Sequence, residues 1–173
     1  MSPPSITPSR SVVHPDRRWV FGAWYRILAF GFGSGLVRPA PGTWGTLLGW
    51  LIWVFVLGHA SVAVQACAIG IGFALGCVAC QRTGNDLNAP DHGGMVWDEI
   101  IAIWLVLWLT PATWPMQAVA FVLFRFFDIL KPPPVRWADR RFKNGFGVMF
   151  DDLVAALYSL LAMALVVHFF GIR

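Results

Sequence analysis

Thirteen basic and nine acidic side chains punctuate the 173-residue chain, and they leave three stretches with none: 39–81, 100–124 and 153–172, of 43, 25 and 20 residues. A core helix of a soluble protein seldom exceeds about 14 wholly apolar residues, whereas crossing a ~30 Å hydrocarbon layer takes about 20. Each uncharged stretch therefore predicts membrane-embedded helix. Within the first, 47–80 divides into two helices at Gly58-His59-Ala60-Ser61, an in-and-out hairpin. The second is interrupted by Thr110-Pro111-Ala112-Thr113-Trp114-Pro115, where paired prolines end one helix and begin another. The pattern predicts an all-α fold, a polytopic membrane helical bundle of about four to five embedded helices.

Ahead of the bundle, Trp19, Phe21, Trp24, Ile27 and Leu28 fall close to helical spacing with one charge, Arg26, which suits a short helix lying in the membrane interface. Residues 1–18 are rich in Pro, Ser and Arg and lack the apolar core of a signal peptide. They predict a disordered tail, leaving 19–173 as one membrane-embedded domain. The run 31–46, GFGSGLVRPAPGTWGT, predicts a loop whose glycines allow close backbone approach to a neighbour.

Composition agrees: 57% of residues are hydrophobic and 13% charged, about half the charge of a soluble domain. Disordered, collagen-like and disulfide-framework classes are excluded. The net charge of +4 is scattered and forms no cationic stripe, which argues against nucleic acid and for an anionic lipid surface as partner. Cys77 and Cys80 form a lone CxxC with no second pair, and such cysteines are ordinary small apolar residues of a membrane helix.

The basic residues orient the bundle. If 100–124 turns back at 110–115, then Arg10, Arg17, Arg18, Arg26, Arg38, Arg82 and the six basic residues of 125–152 share one side, with Arg173 alone opposite. The tendency of positive loops to stay in the cytoplasm selects this arrangement. Loops 31–46, 82–99 and 125–152 then emerge on one face, and the last two hold eight of the nine acids: Asp86, Asp91, Asp98, Glu99, Asp128, Asp139, Asp151 and Asp152.

Asp98-Glu99 and Asp151-Asp152 each stand where an apolar helix is expected to start, so helix capping explains one acid per helix. Asp128, with Arg125 three residues before and Lys131 three after, fits a salt-bridge ladder reaching for the interface. The functional alternative is a hard-metal site. Several carboxylates gathered from separate helices suit Mg²⁺, an oxygen-seeking cation. Nearby Arg and Lys side chains suit a phosphate. Carboxylates, cations and a glycine-rich backbone at a lipid surface point to phosphoryl chemistry on an anionic lipid. Familiar solutions to that chemistry are absent: there is no Cys followed six residues later by Arg, no DxDx(T/V), no GxxxxGK(S/T) and no DGxxAR. His92 stands alone among the acids.

The runs GFGSGLVRPAPGTWGTL (31–47), DHGGMVWDEIIAIW (91–104) and FRFFDILKPPPVRWADRRFKNGFGVMFDDLVA (124–155) resemble, in order, three signature blocks of the phosphatidylglycerophosphatase A family. The resemblance implies a Mg²⁺-dependent phosphatase of the bacterial inner membrane that hydrolyses phosphatidylglycerophosphate to phosphatidylglycerol and phosphate. It also implies helices packed round a central one, since soluble members of the family have that fold. Asn144-Gly145 stands where the family tends to have a glycine pair.

Carried over residue by residue, Asp98 and Glu99 match the family's VxDE acids, Asp128 and Lys131 its FDxxKP pair, and Asp151 and Asp152 its MxDD acids. These five carboxylates are the expected metal ligands and water-activating base, with Asp91 a less secure match. Arg125, Lys131, Arg136 and Arg140 are the expected phosphate clamp, with Asp139 orienting an arginine. Gly42, Thr43 and Thr46 are expected to donate backbone and hydroxyl hydrogen bonds to phosphate, or else to form a structural turn. Two other readings compete. A small ion-coupled transporter or channel needs acids in the middle of its apolar segments, and a scaffold subunit needs no particular carboxylate. Oligomeric state is not legible in the residues.

Overall fold

The computed structural model describes residues 14–133 and 144–170. The expected clamp residues Arg136 and Arg140, with Asp139, lie outside them. Every regular element among the described residues is helical. Two short helices, α1 (Arg17–Val20) and α2 (Trp24–Ala29), precede a 3₁₀ segment at Gly31–Leu36. There follow α3 (Pro41–Phe55), α4 (Val62–Leu87), α5 (Trp97–Trp108), α6 (Trp114–Leu130) and α7 (Gly145–Phe170).

The bundle is organised around α5. Ile100, Ile101, Ala102, Ile103 and Val106 are fully buried, so this short helix meets protein on every side. Its two indoles reach across to glycine carbonyls: Trp104 Nε1 donates to Gly49 O of α3 and Trp97 Nε1 to Gly72 O of α4, each at 2.9 Å. An indole N–H in an apolar interior needs an acceptor. The glycines supply it by letting the backbones approach. A Cβ on Gly49 would stand 2.7 Å from Ile103 Cγ2, and one on Gly72 would stand 2.5 Å from Ile101 Cδ1.

Among the described residues three segments are long and apolar enough to cross a membrane, Pro41–His59, Val62–Leu87 and Gly145–Phe169, and we read the chain as a membrane protein. They expose Leu51, Phe55, Val62, Ile71, Leu157, Leu161 and Leu165 outward, the faces that lipid would cover. At 12 residues, α5 reaches only about 18 Å. It is followed by α6 after the expected break between Trp108 and Trp114.

Helix α6 runs antiparallel to α3 and α7, whereas α3 and α5 run parallel, Gly42 meeting Glu99 and Gly49 meeting Ile103. Along α3 and α6, Thr46 meets Arg125 and Trp50 Nε1 donates to Gln117 Oε1. Along α6 and α7, Lys131 meets Asp151 and Phe127 stacks on Tyr158. The first turns of α3, α5 and α7 and the last turn of α6 therefore gather at one end.

Several boundaries differ from expectation. Residues 19–30 form two helices, broken around Gly22, and the first starts at Arg17 because Asp16 caps it, its carboxylate accepting from Trp19 N. The loop at 31–46 ends at Ala40, because Pro41 opens α3. Gly42, Thr43 and Thr46 thus lie on a helix. Helix α4 continues past 80 to Leu87, taking in Arg82 and Asp86. Asp151 and Asp152 sit in the second turn of α7, whose first turn is capped by Asn144 Oδ1 accepting from Gly147 N at 2.8 Å. Capping therefore explains neither acid.

Gly49 and Gly70 make a matched test of the packing around α5. A Cβ on Gly70 meets nothing within 4 Å. Gly49→Ala should lower the unfolding midpoint in detergent, as overpacking that costs about 1–3 kcal/mol does. Gly70→Ala should leave it unchanged or raised, since alanine favours helix.

Candidate active site

Asp98 and Glu99 occupy the first turn of α5 and Asp152 the second turn of α7. One oxygen of each lies within 4.8 Å of the other two. Asp98 and Asp152 are 8% and 3% exposed. Asp98 Oδ1, Glu99 Oε2 and Asp152 Oδ2 are buried without a hydrogen-bond partner, an arrangement that costs each group its hydration. The N-terminal dipole of α5 offsets part of this cost.

The charge balance shows in the acidities. Burial pushes the Glu99 carboxyl up to about 7, against a hydrogen bond from Asp98; the Asp128 charge raises it further and Arg125 opposes. Asp98 is raised well above the carboxylate range by burial first, then by the charges of Glu99 and Asp152. Three carboxylates so placed hold protons or a cation. Their donors are hard oxygens alone, which suits Mg²⁺ or a similar ion and not a thiophilic one.

Two ion pairs flank the trio. On α6, Arg125 Nη1 binds Asp128 Oδ2 at 2.5 Å and lies 3.7 Å from Glu99 Oε1. The same nitrogen donates to Thr46 Oγ1 at 3.4 Å, and that hydroxyl donates to Gly42 O at 2.8 Å. Lys131 ends α6 in a left-handed turn (φ 43°) and its Nζ binds Asp151 Oδ2 at 2.7 Å. The structure thus brings together Asp98, Glu99, Asp128, Asp152, Arg125, Thr46 and Gly42, with Lys131 and Asp151 joined beside them.

The α3 residues lie on a helix and not in the loop expected of them. Gly42 packs its backbone against the ion pair: a Cβ there would overlap Glu99 Oε1 and stand 3.0 Å from both terminal nitrogens of Arg125. Thr46 is fully buried, and its hydroxyl fastens Arg125 to α3. Thr43 N is bonded to Ala40 O at 3.0 Å. His92 Nδ1 accepts from Gly94 N at 3.1 Å, a turn contact. Asp91 is exposed and outside the trio. The link from Thr46 to Arg125 escaped the sequence reading. Its signal, a threonine one helical turn after a glycine, is visible only once Pro41 is taken as a helix start.

A family model described as phosphatidylglycerophosphatase A matches residues 27–167. The chain belongs to the phosphatidylglycerophosphatase A family. It is 46% identical over 138 residues to the phosphatidylglycerophosphatase A of Haemophilus influenzae, covering 79% of this chain and 85% of that one. It is 36% identical over 156 residues to the Escherichia coli K12 phosphatidylglycerophosphatase A, covering 90% of each. No solved structure matches the chain. The family match begins at Ile27, so α1 and the first turn of α2 stand outside it.

A carboxyl whose acidity is weaker folded than unfolded contributes stability below its unfolded value, lost as pH rises through its folded value. For Glu99 that window runs from 4.5 to about 7. In EDTA the protein should unfold at a higher temperature at pH 5 than at pH 8, and Glu99→Gln should shrink the difference; calorimetry or intrinsic fluorescence reads both.

Proposed function

We propose that the chain is a Mg²⁺-dependent phosphatase that hydrolyses phosphatidylglycerophosphate to phosphatidylglycerol and phosphate. Family membership supports the reaction, and one observation supports the chemistry: three buried carboxylates with unpartnered oxygens lie between two cation–carboxylate pairs. Asp98, Glu99 and Asp152 would hold the ion, which when bound supplies a more acidic water and offsets charge on the phosphoryl oxygens.

The remaining roles follow from contacts. Asp128 and Asp151 each already engage a cation, so their task is to hold Arg125 and Lys131 where the phosphate of an anionic headgroup can meet them. Arginine presents a planar fork and lysine a point charge, a combination that suits a phosphate monoester. In the reaction, water oxygen bonds to phosphorus and the bond from phosphorus to the glycerol oxygen breaks. The acidic set takes a proton from the water and returns one to the departing glycerol oxygen. Thr46 and Gly42 keep Arg125 seated and are positioning residues.

The basic residues argue for the side of action. Arg17, Arg18, Arg26, Arg38, Arg82, Arg125 and Lys131 all lie toward the end that carries the acids, so we place that end in the cytoplasm and the chain in the bacterial inner membrane.

Phosphate release from phosphatidylglycerophosphate by the purified protein tests this reading. Activity should require Mg²⁺ and vanish in EDTA. Asp98→Asn, Asp152→Asn and Asp128→Asn should each lower kcat by about a hundred-fold or more, the scale on which removing an electrostatic partner acts. Turnover that survives both chelation and these substitutions would refute the metal-assisted reading.

A further inference from the structure

The N-terminal segment displays large apolar side chains where its own backbone is tightly packed. Val20, Ala29, Phe30, Gly31 and Gly35 are buried, yet Phe21 and Phe32 are 55% and 54% exposed. Phe32 sits at φ 54°, a conformation that a bulky L residue rarely adopts. The two phenyl rings, with Arg17, Gly33 and Leu36, line a cavity of about 270 Å³, and a Cβ on Gly33 would touch the Phe21 ring at 3.4 Å. A cation and two aromatic rings therefore share one opening. Nearby, exposed Trp24 carries the Arg82 guanidinium 5.9 Å from its ring centre.

The charges say what covers this surface. Arg26 is neutralised by Asp86 at 2.7 Å, and Asp16 caps α1. Arg17, Arg18, Arg38 and Arg82 are exposed. The segment also leads directly into α3, which exposes Trp44 close to its start, and α2 packs on α4, to which Arg26 and Tyr25 bind through Asp86. Both α3 and α4 are long and apolar enough to cross the bilayer, so lipid headgroups are the surface at hand. Exposed aromatic rings with uncompensated arginines are what the boundary between acyl chains and anionic headgroups receives.

We propose that residues 17–36 form an interfacial anchor that seats on anionic phospholipid, with Phe21 and Phe32 entering the acyl boundary and Arg17, Arg18 and Arg82 meeting headgroup phosphates. The anchor holds the end of the bundle that carries the acids at a set depth. It does not depend on the phosphatase reading, because its readout is lipid contact.

The test places the photoreactive residue p-benzoylphenylalanine at Phe21 or at Phe32 in the full chain, reconstituted in nanodiscs of phosphatidylcholine alone or with phosphatidylglycerol. Irradiation followed by mass spectrometry should find phospholipid adducts at both positions, several-fold richer in phosphatidylglycerol than its share of the bilayer. In the Arg17→Gln, Arg18→Gln, Arg82→Gln variant, with an unchanged unfolding midpoint in detergent, that enrichment should disappear while adducts persist. Absence of lipid adducts at both positions, or adducts to a second copy of the chain in their place, would overturn the anchor. Adducts that mirror bilayer composition would overturn its preference for anionic lipid.

Discussion

A carboxylate withdrawn from water has to meet positive charge, and one end of this bundle withdraws more carboxylates than it supplies cations. Among the described residues, Asp98, Glu99, Asp128, Asp151 and Asp152 gather there with Arg125 and Lys131. Arg125 and Lys131 each engage a neighbouring acid, and the remaining three carboxylates crowd together. A site under this much electrostatic strain is a poor contribution to stability and a good receptor for a cation. The geometry of the bundle follows from keeping that strain in place.

Helix α5 does most of the holding. It carries two of the three crowded acids on its first turn, and its apolar remainder is buried on all sides. Being too short to span a bilayer, it starts inside the shelter of α3, α4 and α7. The indoles of Trp97 and Trp104 lock its height through glycine carbonyls of α4 and α3. Gly42 brings the first turn of α3 against Glu99 and Arg125 in the same way. The glycines spaced along α3 therefore serve one purpose, close approach of the α3 backbone to α5 and its acids, and only the first of them touches the charged groups.

The fold class and the gathering of the acids at one end were legible because both are written as charge placement. Stretches without charge mark helices that sit in lipid, and acids that recur at the ends of those stretches mark one face. Boundaries were less legible. Arg82 reads as the end of a membrane segment, yet α4 continues for more than a turn beyond the bilayer-length stretch to bind Arg26 and Tyr25 through Asp86. The glycines of 31–46 read as one loop, yet Pro41 starts a helix, because proline suits a first turn. Asp151 and Asp152 read as caps until Asn144 takes that place. In each case tertiary contact decides a residue whose local signal is shared by two structures.

The placement of the acids also separates hydrolysis from ion relay. A relay across the membrane needs ionisable groups strung along the path, so that a cation passes from one to the next. Here the far turns of the bundle, 55–61 and 109–113, contain no acidic residue, and the middle of α5 presents isoleucine, alanine and tryptophan. A cation bound at the trio therefore meets no successive acidic residue in those turns or along α5. What that end does offer is a pair of cationic side chains beside a carboxylate trio that could hold a metal ion. That combination serves a phosphate ester, which brings negative charge to both.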